Sequence, residues 1–289
     1  MALTKYVTVL RDEGKDHVKL DRQSRSFLRQ LKEAGKTVAT VASPTPLPLK
    51  KTVVPDLTPI VTQTSSTAPV MDDLSELTIT TGRTKTERLA HLAGRALSCQ
   101  KCPHLVKFRN KVVFGVGDPE AELMFVGEAP GAEEDKIGEP FVGRAGDLLT
   151  KMIVAMGLTR EKIYIANILK CRPDIPAGAP GNRKPTPEEM KTCSPYLIAQ
   201  IEIIHPKVMV GLGASAVEGL LGPRGTISKL RGHFQEFRGI PFMPTFHPSY
   251  LLHNSNIETK RKVWEDLMQV MIFLKMPISE KQQGFFLAK

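Results

Sequence analysis

Four short apolar runs set the rhythm of the chain: Leu123–Val126, Ile163–Ile168, Val208–Leu212 and Phe242–Phe246. Each is nearly continuous rather than alternating, the pattern of a strand buried on both faces. Helical spacing fills the gaps between them. Arg88, Leu89, Leu92, Ala93 and Leu97 share one face, as do Leu148, Leu149, Met152, Ile153 and Met156. Met190, Tyr196, Leu197, Ile201 and Ile204 do the same behind Pro187 and two glutamates, which suit a helix N-terminus. A short helix over Ala214–Leu221 and a last one through Val263, Trp264, Leu267, Val270, Met271 and Leu274 complete the set. Strands alternating with helices predict a parallel sheet covered on both faces and joined by right-handed crossovers. The expected fold class is therefore α/β, a three-layer α/β/α domain with a four-stranded, mainly parallel central sheet.

The chain before this pattern reads differently. Residues 1–36 are charged, with Val18, Leu20, Phe27, Leu28 and Leu31 able to line a short helix around Arg22–Ala34. Residues 37–85 are rich in Pro, Thr and Ser. Proline at that density removes backbone donors, and no strand alternation replaces them, so a disordered linker is expected. The compact domain is assigned to 86–276 and a C-terminal tail to 277–289.

Composition changes this picture little. No apolar run approaches the ~18 residues of a membrane span, and charges come too early for a secretory signal. A cytoplasmic monomer is the expectation. The net charge is +10, of which residues 1–85 carry +4 and the remainder +6, so the excess is not confined to a tail. Such a balance suits a polyanionic partner and equally suits simple solubility.

Candidate chemistry changes it more. The cysteines are Cys99, Cys102, Cys171 and Cys193. They are too few for a disulfide scaffold in a chain this long, yet match the number a tetrathiolate metal site needs. Cys99 and Cys102 share one turn; the other two stand far apart around a Pro-rich loop, which favours a 4Fe–4S cluster over zinc, with four ordinary buried cysteines as the bland alternative. The first apolar run ends in Gly127-Glu128-Ala129-Pro130-Gly131, followed by an acidic loop, Glu133-Glu134-Asp135, and by Phe141. Asn167 ends the second run and His247 follows the fourth. The fold brings the carboxyl ends of such strands together. Singly, each residue has a structural explanation. Together they offer a stacking face, a bidentate amide and an ionisable ring, which is what reading a flipped-out base requires. Gly211-Leu-Gly213-Ala-Ser-Ala216 satisfies the GxGxxA pattern but follows the third strand rather than the first, so a tight strand-to-helix turn is expected there and not a dinucleotide site.

These residues lie in GEAPGAEEDKIGEPFVGRAGDLL (127–149), NILKCRP (167–173), NRKPTPEE (182–189), GLGASA (211–216), SKLRG (228–232) and HPSYLL (247–252). In this order, over about Leu89 to Leu274, the chain resembles the type-4 uracil-DNA glycosylases, the iron–sulfur branch of their superfamily. The resemblance implies excision of uracil from single- or double-stranded DNA by hydrolysis of the N-glycosidic bond, with a structural 4Fe–4S cluster on the four cysteines. Uracil leaves as an anion, which His247 is placed to stabilise at O2. A carboxylate stabilises the cationic sugar and orients water. Where the related motif has aspartate this chain has Ala129, so Glu128 is the expected substitute, with Asn182 as a second residue to position water. Asn167 donates to O4 and accepts from N3–H, a pairing cytosine cannot make. Phe141 stacks on the base, Gly127 and Ala129 line its turn, and Glu134 crowds the C5 side. Lys229, Arg231 and Ser249 are expected on the DNA backbone, and Leu251 and Leu252 in the gap left by the flipped nucleotide. Two departures stand out: an extra DIPAGAPG at 174–181, and His253 where many relatives have Arg. No basic insertion separates Asp135 from Phe141, so turnover is expected rather than covalent capture. The reading from a different class is a non-catalytic iron–sulfur DNA-binding module associated with replication, and residues 1–85 are a candidate segment for binding another protein.

Overall fold

A computed structural model describes residues 82–176, 179 and 181–287. The helix expected around Arg22–Ala34, and the linker as far as residue 81, lie outside the described residues. Helix α1 (Lys85–Leu97) begins at Thr84, whose hydroxyl accepts from Glu87 N–H while the Glu87 carboxylate accepts from Thr84 N–H. This reciprocal cap satisfies two donors that the first turn leaves free. There follow α2 (Pro103–Phe108), β1 (Val116–Gly117), β2 (Leu123–Gly127), α3 (Ala132–Ile137), α4 (Gly143–Ala155), a 3-10 turn (Arg160–Lys162) and β3 (Tyr164–Asn167). The second half runs α5 (Pro187–Ile204), β4 (Val208–Leu212), α6 (Ala214–Leu221), α7 (Ile227–Leu230), β5 (Gln235–Phe237), β6 (Ile240–Thr245), α8 (Pro248–His253), α9 (Ile257–Phe273) and α10 (Glu280–Gln283).

The strands form one sheet in the order β1-β3-β2-β4-β6-β5. The central four are parallel, and they are the four that the apolar runs predict. The sheet nonetheless has six strands among the described residues, because short antiparallel strands close both edges. Val116-Gly117 and Gln235-Glu236-Phe237 carry no apolar run, since an edge strand is held by backbone pairing more than by burial.

Side chains alternate strictly between two cores. Met124, Val126, Tyr164, Ala166, Met209 and Phe242 face one layer, with Leu92, Leu105, Leu197 and Val217 from the helices. Leu123, Phe125, Ile163, Ile165, Val208, Val210 and Met243 face the other, with Leu149, Ile153, Leu267 and Met271. This is the three-layer arrangement expected of a parallel sheet. Gly211 lacks a Cβ because one there would overlap the Phe242 ring, and Gly213 turns the chain into α6 at φ +91°. The GxGxxA glycines are thus explained by packing and turning.

Three expectations are corrected. The acidic loop is a helix, α3, capped by its own Glu134, and Asp135 is fully buried, accepting from Asn110 N–H at 2.9 Å. The segment after 276 is packed rather than a tail: Trp264 Nε1 donates to Gln282 O at 2.6 Å and Gln282 Nε2 to Ala155 O at 2.8 Å. Arg231 does not face outward to a phosphate. Its guanidinium grips the fully buried Asp266, at 3.0 Å from Nε and 2.7 Å from Nη2, and Thr245 donates to the same carboxylate at 2.6 Å. No helix among the described residues is long and apolar enough to cross a membrane.

The Arg231–Asp266–Thr245 group anchors the end of β6 from α9. Removing one partner of a buried pair leaves the other charge unsolvated. Asp266→Ala is expected to lower the unfolding free energy by about 3 kcal/mol, measured by urea denaturation, with secondary structure retained in the absence of denaturant.

Candidate active site and thiol cavity

The carboxyl ends of β2, β3, β4 and β6 open into a cleft of about 790 Å³. Glu128, Ala129, Glu134, Phe141, Asn167, Asn182, Ser215, His247 and Ser249 all line it. The structure therefore gathers in one place residues that stand up to 121 positions apart in sequence, from Glu128 to Ser249.

Its floor is the pairing of Gly127 with Asn167 across β2 and β3. A Cβ on Gly127 would overlap both Asn167 Oδ1 and the Phe141 ring, so only glycine allows amide and ring to meet. Asn167 is 2% exposed, and its Oδ1 has no hydrogen-bond partner. A buried amide oxygen left unpaired costs about 1–3 kcal/mol unless a ligand supplies the donor. Phe141, 5% exposed, lies with its ring centroid 5.5 Å from that of His247.

His247 caps α8. Ser249 N–H donates to its Nδ1 at 3.1 Å, and the Ser249 hydroxyl lies 2.7 Å from the same nitrogen. Nδ1 is thus an acceptor, and the proton of the neutral ring sits on Nε2. Burial holds the ring neutral, pulling its pKa from 6.5 down to about 4. Ser249, expected on the DNA backbone, fixes this tautomer. Glu128 accepts a short hydrogen bond from Ser215, a residue the sequence reading did not single out although it stands inside the GLGASA turn. Glu134 accepts from Gly131 N–H at 3.1 Å and holds the turn, and burial raises its carboxyl pKa. Asn182 lies across from it, and Arg172 Nε donates to its Oδ1 at 3.3 Å.

The expected outer contacts divide. Lys229 is exposed on α7, beside the cleft-lining Ser228. Leu251 is 4% exposed and packed in the core, so it is not available as a wedge; Leu252 is the partly exposed one of the pair.

A second, smaller cavity lies where the chain continues past β3. Cys99, Cys102, Cys171 and Cys193 line it with Arg109 and Tyr196, and all four thiols are free. Arg109 Nη1 donates to Cys171 Sγ at 2.9 Å, and Lys170 N–H to Cys193 Sγ at 3.2 Å. Burial pushes the Cys193 thiol up to about 12 and raises Cys102 and Cys171 as well. Such thiols ionise when a metal supplies positive charge. Among the described residues, the group of three or more possible ligands lying within 4.8 Å of one another is His104, Asp174 and Glu189, not the cysteines. Sulfurs around a single tetrahedral zinc stand about 3.8 Å apart, given a Zn–S bond of about 2.3 Å. Among the described residues, no three of the four thiol sulfurs lie within 4.8 Å of one another.

Lys170, also absent from the sequence reading, joins the two cavities. It is 2% exposed, and its Nζ donates to Asn167 O at 2.9 Å and to Gln200 Oε1 at 2.5 Å. Its place between Asn167 and Cys171 is the signal that was there to be read.

A family model for the uracil DNA glycosylase superfamily matches residues 114–268. The type-4 uracil-DNA glycosylase of Thermotoga maritima is 46% identical over 195 residues, 66% of this chain and 97% of that protein. The type-4 uracil-DNA glycosylase of Archaeoglobus fulgidus is 42% identical over 179 residues, 59% of this chain and 86% of that protein. The type-5 uracil-DNA glycosylase of Thermus thermophilus is 28% identical over 211 residues, 62% of this chain and 93% of that protein.

The His247 assignment has a direct check. The folded ring refuses a proton between pH 6.5 and about 4, while the unfolded chain accepts one at 6.5. This group therefore leaves stability unchanged above pH 6.5 and lowers it as pH falls towards 4, by at most about 1.4 kcal/mol per pH unit. NMR titration is expected to find the ring neutral at pH 5, and His247→Gln to remove that part of the slope in unfolding free energy.

Proposed function

The chain belongs to the uracil DNA glycosylase superfamily, and on that premise we infer that it is a type-4 uracil-DNA glycosylase, a DNA-repair hydrolase that removes uracil and leaves an abasic site. The observation that carries the site assignment is the unpaired Oδ1 of buried Asn167. Uracil N3–H is the donor it lacks, and the amide Nδ2 donates to O4. Cytosine presents an amino group at that edge and an unprotonated N3, so it meets donor with donor and acceptor with acceptor. Phe141 gives the stacking face.

As the C1′–N1 bond breaks, negative charge gathers on uracil O2 and positive charge on the sugar. Neutral His247 donates from Nε2 to O2, a donor already oriented by Ser249. Glu128, held by Ser215, faces the cationic sugar and orients water. Water adds to C1′, and its proton passes by way of the carboxylate to the departing uracil. Asn182 is the second residue for positioning that water, and Glu134 stands in the first turn of α3 beside the base. Lys229 and Leu252 meet the DNA.

The four cysteines would hold a 4Fe–4S cluster, which supplies structural cross-linking of α1, β3 and α5. The N–H donors from Arg109 and Lys170 suit thiolates, and the scattered sequence positions of the cysteines, with a single CxxC, support a cluster over zinc.

Uracil release from single- and double-stranded DNA, read as alkaline cleavage at the abasic site, is the test of function. Wild type cleaves, and Asn167→Ala/His247→Ala stays at background, with His247→Ala alone costing about 10²–10³ in rate. Salt-sensitive DNA binding without release would favour the DNA-binding module instead. For the metal, the purified protein is expected to be brown, with iron and inorganic sulfide in equal amounts, and Cys193→Ser to lose both; a colourless zinc protein overturns the cluster.

A further inference from the structure

Of the described residues lining the cleft, Phe141 is the only one besides glycine in the left-handed region, at φ +52°. Side chains rarely occupy that region, and such a conformation persists when its surroundings over-determine it. What fixes it lies outside the cleft. Arg160, in the turn before β3, donates from Nη2 to Pro140 O at 2.9 Å and from Nη1 to Phe141 O at 3.2 Å. The same Nη1 reaches Thr150 Oγ1 at 3.3 Å, and the Thr150 hydroxyl donates to Gly146 O at 2.9 Å. Gly146 completes the arrangement, since a Cβ there would overlap the Phe141 carbonyl. Two successive carbonyls are thus bound by one planar guanidinium and seated against a bare turn of α4. A planar fork suits this task better than an ammonium, because its donors are fixed relative to one another.

We propose that Arg160 is a positioning residue for base recognition: by clamping the Pro140 and Phe141 carbonyls onto α4 it sets the place of the Phe141 ring over the base. The inference rests on reading the cleft as the uracil site. Arg160 touches neither base nor DNA in this scheme. Its loss acts on the ring and leaves backbone contacts to DNA alone.

The test compares Arg160→Met with wild type in four measurements: single-turnover uracil release, inhibition by free uracil, affinity for uracil-free DNA, and the NMR signals of the His247 ring protons. The last report on the Phe141 ring current, because the two rings are 5.5 Å apart. Arg160→Met is expected to slow release and weaken uracil inhibition by about tenfold each, to leave uracil-free DNA affinity unchanged, and to shift the His247 signals. Gly146→Ala, which displaces the same carbonyl from the other side, reproduces these effects, and the double variant is no worse than the poorer single one. Should Arg160→Met not fold, Arg160→Lys keeps the charge without the fork and reports the same shifts. Wild-type release and inhibition with unmoved His247 signals overturn the clamp while the glycosylase reading stands. If wild type releases no uracil, the glycosylase reading fails, and the His247 signals alone decide whether Arg160 holds the ring.

Discussion

The site depends on the close approach of two strands at one register position, Gly127 opposite Asn167. Parallel pairing fixes that register, and the register delivers the Asn167 amide to the mouth of the sheet. The missing Cβ of Gly127 then lets the Phe141 ring close down beside it. Neither the amide nor the ring would be useful alone. An amide in open water has its hydrogen bonds already satisfied, and a ring on the surface has nothing to stack. Their meeting in a buried place is what gives each a preference for a ligand.

Burial also sets the chemistry of His247. An exposed imidazole would be partly charged near neutrality and would pair with anions indiscriminately. Here desolvation keeps it neutral and Ser249 chooses its tautomer, so it carries a single directed donor. A neutral donor stabilises charge that is only beginning to develop, without attracting an anion in the ground state. The protein reaches this state with a short helix cap, a feature whose ordinary use is to end a loop.

The sequence made the central architecture readable, because strands buried on both faces must be apolar throughout. It left the edges unread, since β1 and β5 are held by backbone bonds that leave no apolar pattern. Asn167, His247 and Glu128 were legible as cleft residues from their positions at strand ends, and Phe141 from its place in the stretch that follows β2. Ser215 and Arg160 were not, because each acts through a contact with another segment of the chain, whereas Lys170 could have been read from its place between Asn167 and Cys171. Arg231 and Leu251 were misassigned for a related reason. Arginine and leucine suit a DNA surface and a protein interior about equally well, and only the fold tells that Asp266 waits for one and the α9 side of the sheet for the other.

Asn167 and Cys171 are separated by a fixed short reach of chain that runs from one cavity to the other, with Lys170 bridging them from inside. That reach works as a ruler. A residue inserted there would move the amide out of register or a sulfur out of its cavity. The two cavities are therefore tied to each other through this one stretch of chain, and a shift at either end is felt at the other.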